Sequence, residues 1–344
     1  MRILLTADPI LPVPPILYGG TERIINVLVL ELRNRGHSVG LVAHGDSTVV
    51  ADVFFPWSAT HPVKMPGHIA NILTLRRAIA EFKPDILHSF SRLLYLLPFV
   101  FSNFPKVMTY ERPPTAFTVR WSSRLHGKSL FFTGCGEHLC RVGEGYGGRW
   151  QGVHNCIEID KFTFRDNLPD DAPLVFLSRI EALKGAHTAI EVARRTGRRL
   201  LIAGNHGDSG EEGRYWRQEI LPHLGKDGIE YVGEVDDVAK NSLLGQAAAM
   251  IVPIEWDEPF GIVFAESLAC GTPVISSPRG ALPEIVRDGV DGFLVDGVDA
   301  ACLAVGRLSE LSRRDCRMRA EVNFSVPVIV QRYEDVYQSL VDKR

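Results

Sequence analysis

The stretch Trp256–Ser276 reads WDEPFGIVFAESLACGTPVIS, with seven residues between Glu258 and Glu266. A helix starting near Phe260 would leave the N–H groups of Gly261, Ile262 and Val263 without partners inside the helix. Those donors and the helix dipole favour an anion, and a glycine lets a phosphate come close to the backbone. Glu258, just ahead of the helix, would repel a phosphate, so its carboxylate suits the hydroxyls of a ribose or hexose. Glu266, about two turns further on, could accept from a second pair of hydroxyls. Taken alone, both glutamates also fit helix carboxylates that merely favour the dipole. The Pro-Phe-Gly insertion and the following ACGTPVIS weigh against that plainer reading.

Two other stretches supply complementary chemistry. In LSRIEALKGAHTAIEVA, Leu177–Ala193, a strand ends at Ser178 and Arg179 follows at its carboxyl end, where open α/β sheets bind ligands. Lys184 and Gly185 then open a helix. Arg179 and Lys184 together make a two-cation clamp for a diphosphate, although both also fit solvated side chains flanking a helix. In DPILPVPPILYGGTERII, Gly19 and Gly20 precede Thr21, read as a helix N-cap. The glycine pair suits close approach to a phosphate or sugar, or a plain turn. It is not Gly-x-Gly-x-x-Gly, which argues against an ordinary dinucleotide fold.

The elements needed to hold these residues alternate strand and helix. Strands are expected at 2–7, 38–43, 85–90, 106–110, 129–133 and 152–154, with helices at 21–35, 67–82, 93–101 and 137–146. The second half repeats the rhythm, with strands at 174–178, 199–203, 230–232, 250–253, 273–276 and 292–295. Its helices are expected at 186–195, 212–224, 237–248, 260–269, 282–288 and 300–313, and a last one at 326–341. The apolar runs are continuous rather than alternating, as in a parallel sheet covered on both faces. The Asp- and Pro-rich FRDNLPDDAP, Phe164–Pro173, reads as a linker. The expected fold is α/β: two Rossmann-like βαβ domains, 1–163 and 164–325, facing each other across a cleft.

At 344 residues the chain suits two domains, and a net charge of −3 gives no bulk attraction to nucleic acid or anionic lipid. No apolar run approaches the roughly 20 residues needed to span a bilayer. The start, MRILLTADPI, does not read as a signal peptide. The six cysteines contain no Cys-x-x-Cys and read as buried small hydrophobes of a reducing compartment, so a cytoplasmic location is expected. FTVRWSSRLHGK carries Arg120, Arg124 and Lys128 around Trp121. It reads as a solvated basic helix face, with an anionic acceptor or membrane surface as the alternative.

Taken together, YGGTERIINVLVLELRNRGHSV, HNCIEIDKF, LSRIEALKG, LLIAGN, YVGEV and EPFGIVFAESLACGTPVISSPRGALPEIVRDGVDGFLV resemble a known family. This is the retaining GT-B glycosyltransferases of family four, in the superfamily of glycogen and sucrose synthases. Its Glu-x7-Glu signature falls on Glu258 and Glu266. The resemblance implies a hexosyltransferase using a UDP- or GDP-sugar donor and a carbohydrate, lipid or small-molecule acceptor, with retention. The donor would lie on the C-terminal domain. Arg179 and Lys184 would take its diphosphate, Glu266 the ribose, and Glu258 with the Phe260–Val263 backbone the sugar and phosphates. Gly19 and Gly20 would approach from the other domain, and the final helix, 326–344, would return to the N-terminal domain. There is no Asp-x-Asp, so no obligatory metal or other cofactor is expected. Nothing indicates a nucleic-acid partner, and neither membrane association nor oligomeric state is specified.

One position departs from the family pattern. After the fourth expected strand, where members often carry a histidine near the reacting sugar, this chain reads KVMTYERPP and presents Glu111. Glu111 could accept a sugar hydroxyl, act as a base, or simply pair with Arg112. His88 ends a strand and is a substitute candidate, though such a histidine also fits a structural role. The change puts the acceptor-side chemistry in doubt. It leaves two competitors: a sugar-nucleotide epimerase of similar architecture, and a catalytically weak sugar-nucleotide-binding protein.

Overall fold

Continuous apolar runs pair in parallel wherever helices can cover both faces, and the chain does this twice. The structure is a computed structural model that describes residues 1–16, 19–60, 63–102 and 104–342. One unit comprises Met1–Cys156 with the chain from Val326 onward, and the other comprises Ile157–Ser325.

The first unit holds β1 (Arg2–Thr6), β2 (Ser38–Ala43), β3 (Val53–Pro56), β4 (Ile86–Ser89), β5 (Lys106–Tyr110), β6 (Leu130–Gly134) and β7 (Trp150–Gly152). They form a parallel sheet in the order β3-β2-β1-β4-β5-β6-β7, with Ile3 level with Val39 on one side and Ile86 on the other. Its helices are α1 (Gly20–Asn34), α2 (Met65–Phe82), α3 (Ala116–His126) and α4 (Glu137–Glu144). The second unit holds β8 (Leu174–Leu177), β9 (Leu200–Ala203), β10 (Ile229–Gly233), β11 (Ala249–Val252), β12 (Val274–Ser276) and β13 (Gly292–Leu294), in the order β10-β9-β8-β11-β12-β13. Around it lie α5 (Ala186–Thr196), α6 (Gly210–Tyr215), α7 (Asp237–Gln246), α8 (Ile262–Ala269), α9 (Leu282–Ile285), α10 (Val298–Gly306) and α11 (Arg313–Phe324). In both sheets the order reverses direction beside the first strand, which opens a crevice at the strands' carboxyl ends.

The last helix, α12 (Val326–Val341), belongs to the first unit. Its Tyr337 hydroxyl meets His88 Nδ1 at 2.6 Å in the interior, and Glu334 accepts from Arg35 (2.7 Å) and meets His37 Nε2 (2.6 Å). His88 also reaches Thr109 Oγ1 at 2.6 Å. Fully buried, its imidazole is pushed down to about 3 by desolvation. It is therefore a neutral core group, not a base.

Several sequence expectations are corrected. The edge strand β3 and the helix α11 were not foreseen. Residues 93–101, expected as an α-helix, form a 3₁₀ segment, Leu93–Phe99, with Pro98 inside it. Residues 212–224 start earlier, at Gly210, and pass through a π turn at Trp216–Ile220. Thr21 is not an N-cap, because Gly19 occupies that position and the helix begins at Gly20. The units part at Cys156/Ile157, ahead of the expected linker. Asp166 pairs with Arg314 at 2.6 Å, and the Arg165 carbonyl accepts from Arg313 Nε at 2.6 Å, so that Asp-rich stretch is strapped to the second unit.

Among the described residues no helix is long and apolar enough to cross a membrane. Cys135, Cys140, Cys156, Cys270 and Cys316 are buried, Cys302 is half-buried, and none of the six is in a disulfide among the described residues.

Candidate functional site

β8 and β11 are neighbours at the reversal of the second sheet, and their carboxyl-end loops carry most of the expected residues. The loop after β8 turns through Ala182–Lys184, and the loop after β11 runs to Glu258. A backbone bond from Glu255 N–H to the Leu183 carbonyl (2.8 Å) ties the two loops together. At Gly185 a Cβ would lie 2.2 Å from the Pro253 carbonyl oxygen, so only glycine lets the loops approach this closely.

Lys184 and Glu258 meet in this junction. Lys184 Nζ donates to Glu258 Oε2 at 2.5 Å, and Trp256 Nε1 donates to the same oxygen at 3.1 Å. The ammonium lies 4.6 Å from the centre of the Trp256 ring. Both charged residues are buried. The backbone of Glu258 is fixed from a third loop, since Ala281 N–H donates to its carbonyl at 2.9 Å. Glu258 is thus neutralised by a cation through one oxygen, and its other oxygen has the chemistry to accept from a hydroxyl.

The helix beyond it starts later than expected. Gly261 is its N-cap, in the left-handed region at φ 79, and α8 begins at Ile262. Phe264 N–H already donates to the Gly261 carbonyl at 3.0 Å, so Ile262 and Val263 carry the leading N–H groups. Phe260 is buried and packs edge-on against Phe324, at 5.7 Å between ring centres. Its side chain therefore serves the core, and only its backbone is near the helix start. Glu266 lies about one turn into α8, not two. Its Oε1 accepts from Lys240 Nζ at 2.7 Å, and Lys240 also meets Asp237 at 3.2 Å. Burial works against the Lys240 ammonium, but the charges and hydrogen bonds of Glu266 and Asp237 outweigh it and hold its pKa above the ordinary lysine value. Arg179 does not join Lys184. It is about half exposed and ion-paired with Glu181.

The remaining candidates lie in the first unit. Gly19 is packed so closely that a Cβ would meet Glu22 Oε2 at 2.8 Å, and Gly20 opens α1. Glu22 is buried. Desolvation, together with the Asp8 charge and against a backbone hydrogen bond, raises its pKa. Glu111 directly follows β5, the fifth strand in chain order once β3 is counted. Its Oε2 accepts from Asn155 Nδ2 at 2.7 Å, and its Oε1 is buried with no N–H or O–H donor among the described residues. Desolvation raises its pKa, against bonds from Asn155 and Cys135, and the Glu22 charge adds to the rise. No ion pair links Glu111 to Arg112 among the described residues.

Sequence reasoning missed Trp256 and Lys240. Trp256 lies in the same motif, two residues before Glu258, and an indole N–H beside a carboxylate was the available signal. Lys240 is 26 positions from Glu266 on another helix, and no local pattern announces it. Among the described residues no cluster of three or more His, Cys, Asp or Glu side chains could hold a metal ion.

This arrangement, a doubly wound sheet pair with a helix N-terminus, a buried Lys–Glu pair and a second carboxylate at one switch point, agrees with two family models. Residues 159–321 match glycosyl transferases group 1, and residues 18–133 match Glycosyltransferase Family 4. The chain belongs to the family-four glycosyltransferases of the GT-B type. It is 27% identical over 348 residues to the phosphatidyl-myo-inositol mannosyltransferase of Mycobacterium tuberculosis, covering 88% of this chain and 86% of that protein. It is 32% identical over 179 residues to the D-inositol 3-phosphate glycosyltransferase of Mycobacterium sp. strain KMS. That match spans 48% of this chain and only 40% of the relative. Sucrose-phosphate synthase from Thermosynechococcus elongatus superposes with a TM-score of 0.80 at 18% identity, over the whole of both chains. HepE of Anabaena, crystallised with UDP and glucose, superposes with 0.73 at 17%, covering 98% of this chain and 100% of that one. Likeness at these identities establishes the fold.

Proposed function

We propose that the chain is a retaining, metal-independent hexosyltransferase that uses a nucleoside-diphosphate sugar, UDP- or GDP-linked. The observation that carries this reading is the convergence of Lys184 Nζ and Trp256 Nε1 on Glu258 Oε2 beside the N-terminus of α8. Two leading helix N–H groups form a preorganised positive field, and the Lys184 ammonium cancels the Glu258 charge beside it. That field suits a diphosphate whose charge grows as the anomeric bond breaks. The Lys184 contact removes the repulsion that an unpaired Glu258 would exert on the leaving group.

In this reading Arg179 leaves Glu181 to grip the diphosphate, and Glu266, oriented by Lys240, accepts the ribose hydroxyls. The acceptor oxygen bonds to the anomeric carbon as the bond to the diphosphate oxygen breaks. The acceptor's proton passes to the departing phosphate oxygen on the same face, so configuration is retained. In the same reading Glu111, its pKa raised by desolvation, accepts from an acceptor or sugar hydroxyl. The likeness to a phosphatidyl-myo-inositol mannosyltransferase and to a D-inositol 3-phosphate glycosyltransferase supports transfer to a hydroxyl acceptor.

A thermal-shift panel of nucleoside diphosphates and their sugars, followed by product analysis with labelled donor, tests the reading. A binder raises Tm by mass action. Labelled sugar on an acceptor supports transfer. Epimerised donor without acceptor would replace the proposal with an epimerase, and binding without turnover would replace it with a binding protein.

A further inference from the structure

Four loops at the carboxyl end of the first sheet each bury a side-chain oxygen that meets no N–H or O–H donor among the described residues. They are Asp8 Oδ1 after β1, Ser91 Oγ after β4, Glu111 Oε1 after β5 and Asn155 Oδ1 after β7. β1, β4 and β5 are successive neighbours, and the strand order reverses between β1 and β4. Ser91 and Asn155 are only 6% and 4% exposed. The loops are tied to one another. Arg92 Nε donates to Asp8 Oδ2 at 3.2 Å, and Asn155 Nδ2 donates to Glu111 Oε2 at 2.7 Å. Ser89 Oγ accepts from Thr6 Oγ1 at 2.9 Å and from the Ser91 N–H at 3.2 Å, which fixes the turn carrying Ser91. These ties engage one oxygen of each carboxylate and the amide nitrogen of Asn155, and leave the second oxygens over. A buried oxygen without a donor is costly, so four at one sheet edge call for a cause.

An amide oxygen and an ionised carboxylate only accept, while the Ser91 hydroxyl does either. The charge has the same bias. The Asp8 charge raises the pKa of Glu22, and the Glu22 charge raises that of Glu111, in each case on top of desolvation. No cation among the described residues lowers either glutamate, and Arg92 is ion-paired with Asp8. A group entering this edge therefore meets acceptors and negative charge. The hydroxyl of a sugar or cyclitol brings the proton these oxygens lack. An ionised phosphate brings a like charge and its oxygens only accept.

We infer that the acceptor enters this edge as an uncharged polyol whose hydroxyls donate to Asp8, Ser91, Glu111 and Asn155, and that the same ring bearing a phosphate is rejected. This acceptor class presupposes the proposed transfer reaction. Saturation-transfer NMR tests it on the full chain, alone and with UDP or GDP. The probes are glucose, mannose and myo-inositol, each against its own monophosphate. The expected result is that at least one neutral ring binds, and binds at least about tenfold more tightly than its phosphate. Ser91→Ala weakens that binding by about threefold to tenfold, the scale of one hydrogen bond. Glu22→Gln with Glu111→Gln narrows the neutral-to-phosphate ratio at least about threefold, because the repelling charge is gone while shape is kept. Improved phosphate binding is a gain that a poorly folded variant does not imitate. Binding of no neutral ring, a phosphate that matches its neutral partner, or a ratio unmoved by the double variant overturns the assignment. The donor reading fails on separate evidence, when no nucleoside diphosphate raises Tm, whatever the polyols do.

Discussion

The two units bury their carboxylates in opposite ways. In the second, Glu258 and Glu266 each sit against a lysine, the buried Lys184 and the half-buried Lys240. In the first, no cation among the described residues pulls the pKa of Glu22 or Glu111 down, and both are raised by desolvation. A carboxylate locked to a cation stays charged and accepts hydrogen bonds from hydroxyls. A carboxyl buried without one holds its proton to a higher pH than a free carboxyl does. The same residue type is thus held against a cation in one unit and kept from one in the other.

The sharpest way to break this contrast is Lys184→Ala. Turnover of the donor falls by about 10²–10³, the scale of losing one preorganised stabiliser. The fold also weakens by roughly 3–5 kcal/mol, because Glu258 is left as an uncompensated buried charge. Lys184→Met combined with Glu258→Leu restores the urea midpoint but not turnover. Unchanged turnover in Lys184→Ala removes it from the site.

The first unit answers to pH instead. His88 is neutral when folded, with a pKa near 3, whereas the unfolded chain protonates near about 6.5. Its contribution is complete above the unfolded value and is lost as pH falls toward 3, at no more than about 1.4 kcal/mol per pH unit. The stability difference between the parent and His88→Gln, read by urea titration, should change with pH only in that window. Glu111 runs the other way. Its raised pKa means stability is greatest below about pH 4.3 and declines as pH rises through the folded value. Glu111→Gln is therefore more stable than the parent at pH 8 and indistinguishable from it at pH 4. It should also impair transfer more than nucleoside-diphosphate binding, and equal loss of both would move Glu111 away from the acceptor chemistry. The smallest effect expected is from Tyr337→Phe, which strips one bond from His88 and costs about 1–3 kcal/mol in chemical denaturation.

The motif Glu258–Glu266 and the alternation of strands were legible because both are local: a spacing along one helix and runs of apolar residues. β3 was hidden because only Phe55 of its four residues is buried, so an edge strand leaves no continuous apolar run. α11, RRDCRMRAEVNF, buries only Cys316, Ala320 and Phe324, and its charge masked the helical spacing. The misplaced linker had the composition of a free segment, but its ordering partners, Arg313 and Arg314, lie far along the chain. The pairs Lys184–Glu258 and Lys240–Glu266 join residues 74 and 26 positions apart and become visible only when the sheet order brings the loops together.

The return of α12 to the first unit has a consequence for biosynthesis. That unit's interior includes Tyr333 and Tyr337, which emerge from the ribosome after the whole of Ile157–Ser325. The unit translated second is contiguous and can close its own core first, while the unit translated first must wait with a slot open beside His88. Nascent-chain proteolysis should find Ile157–Ser325 protected earlier than the strands that precede it.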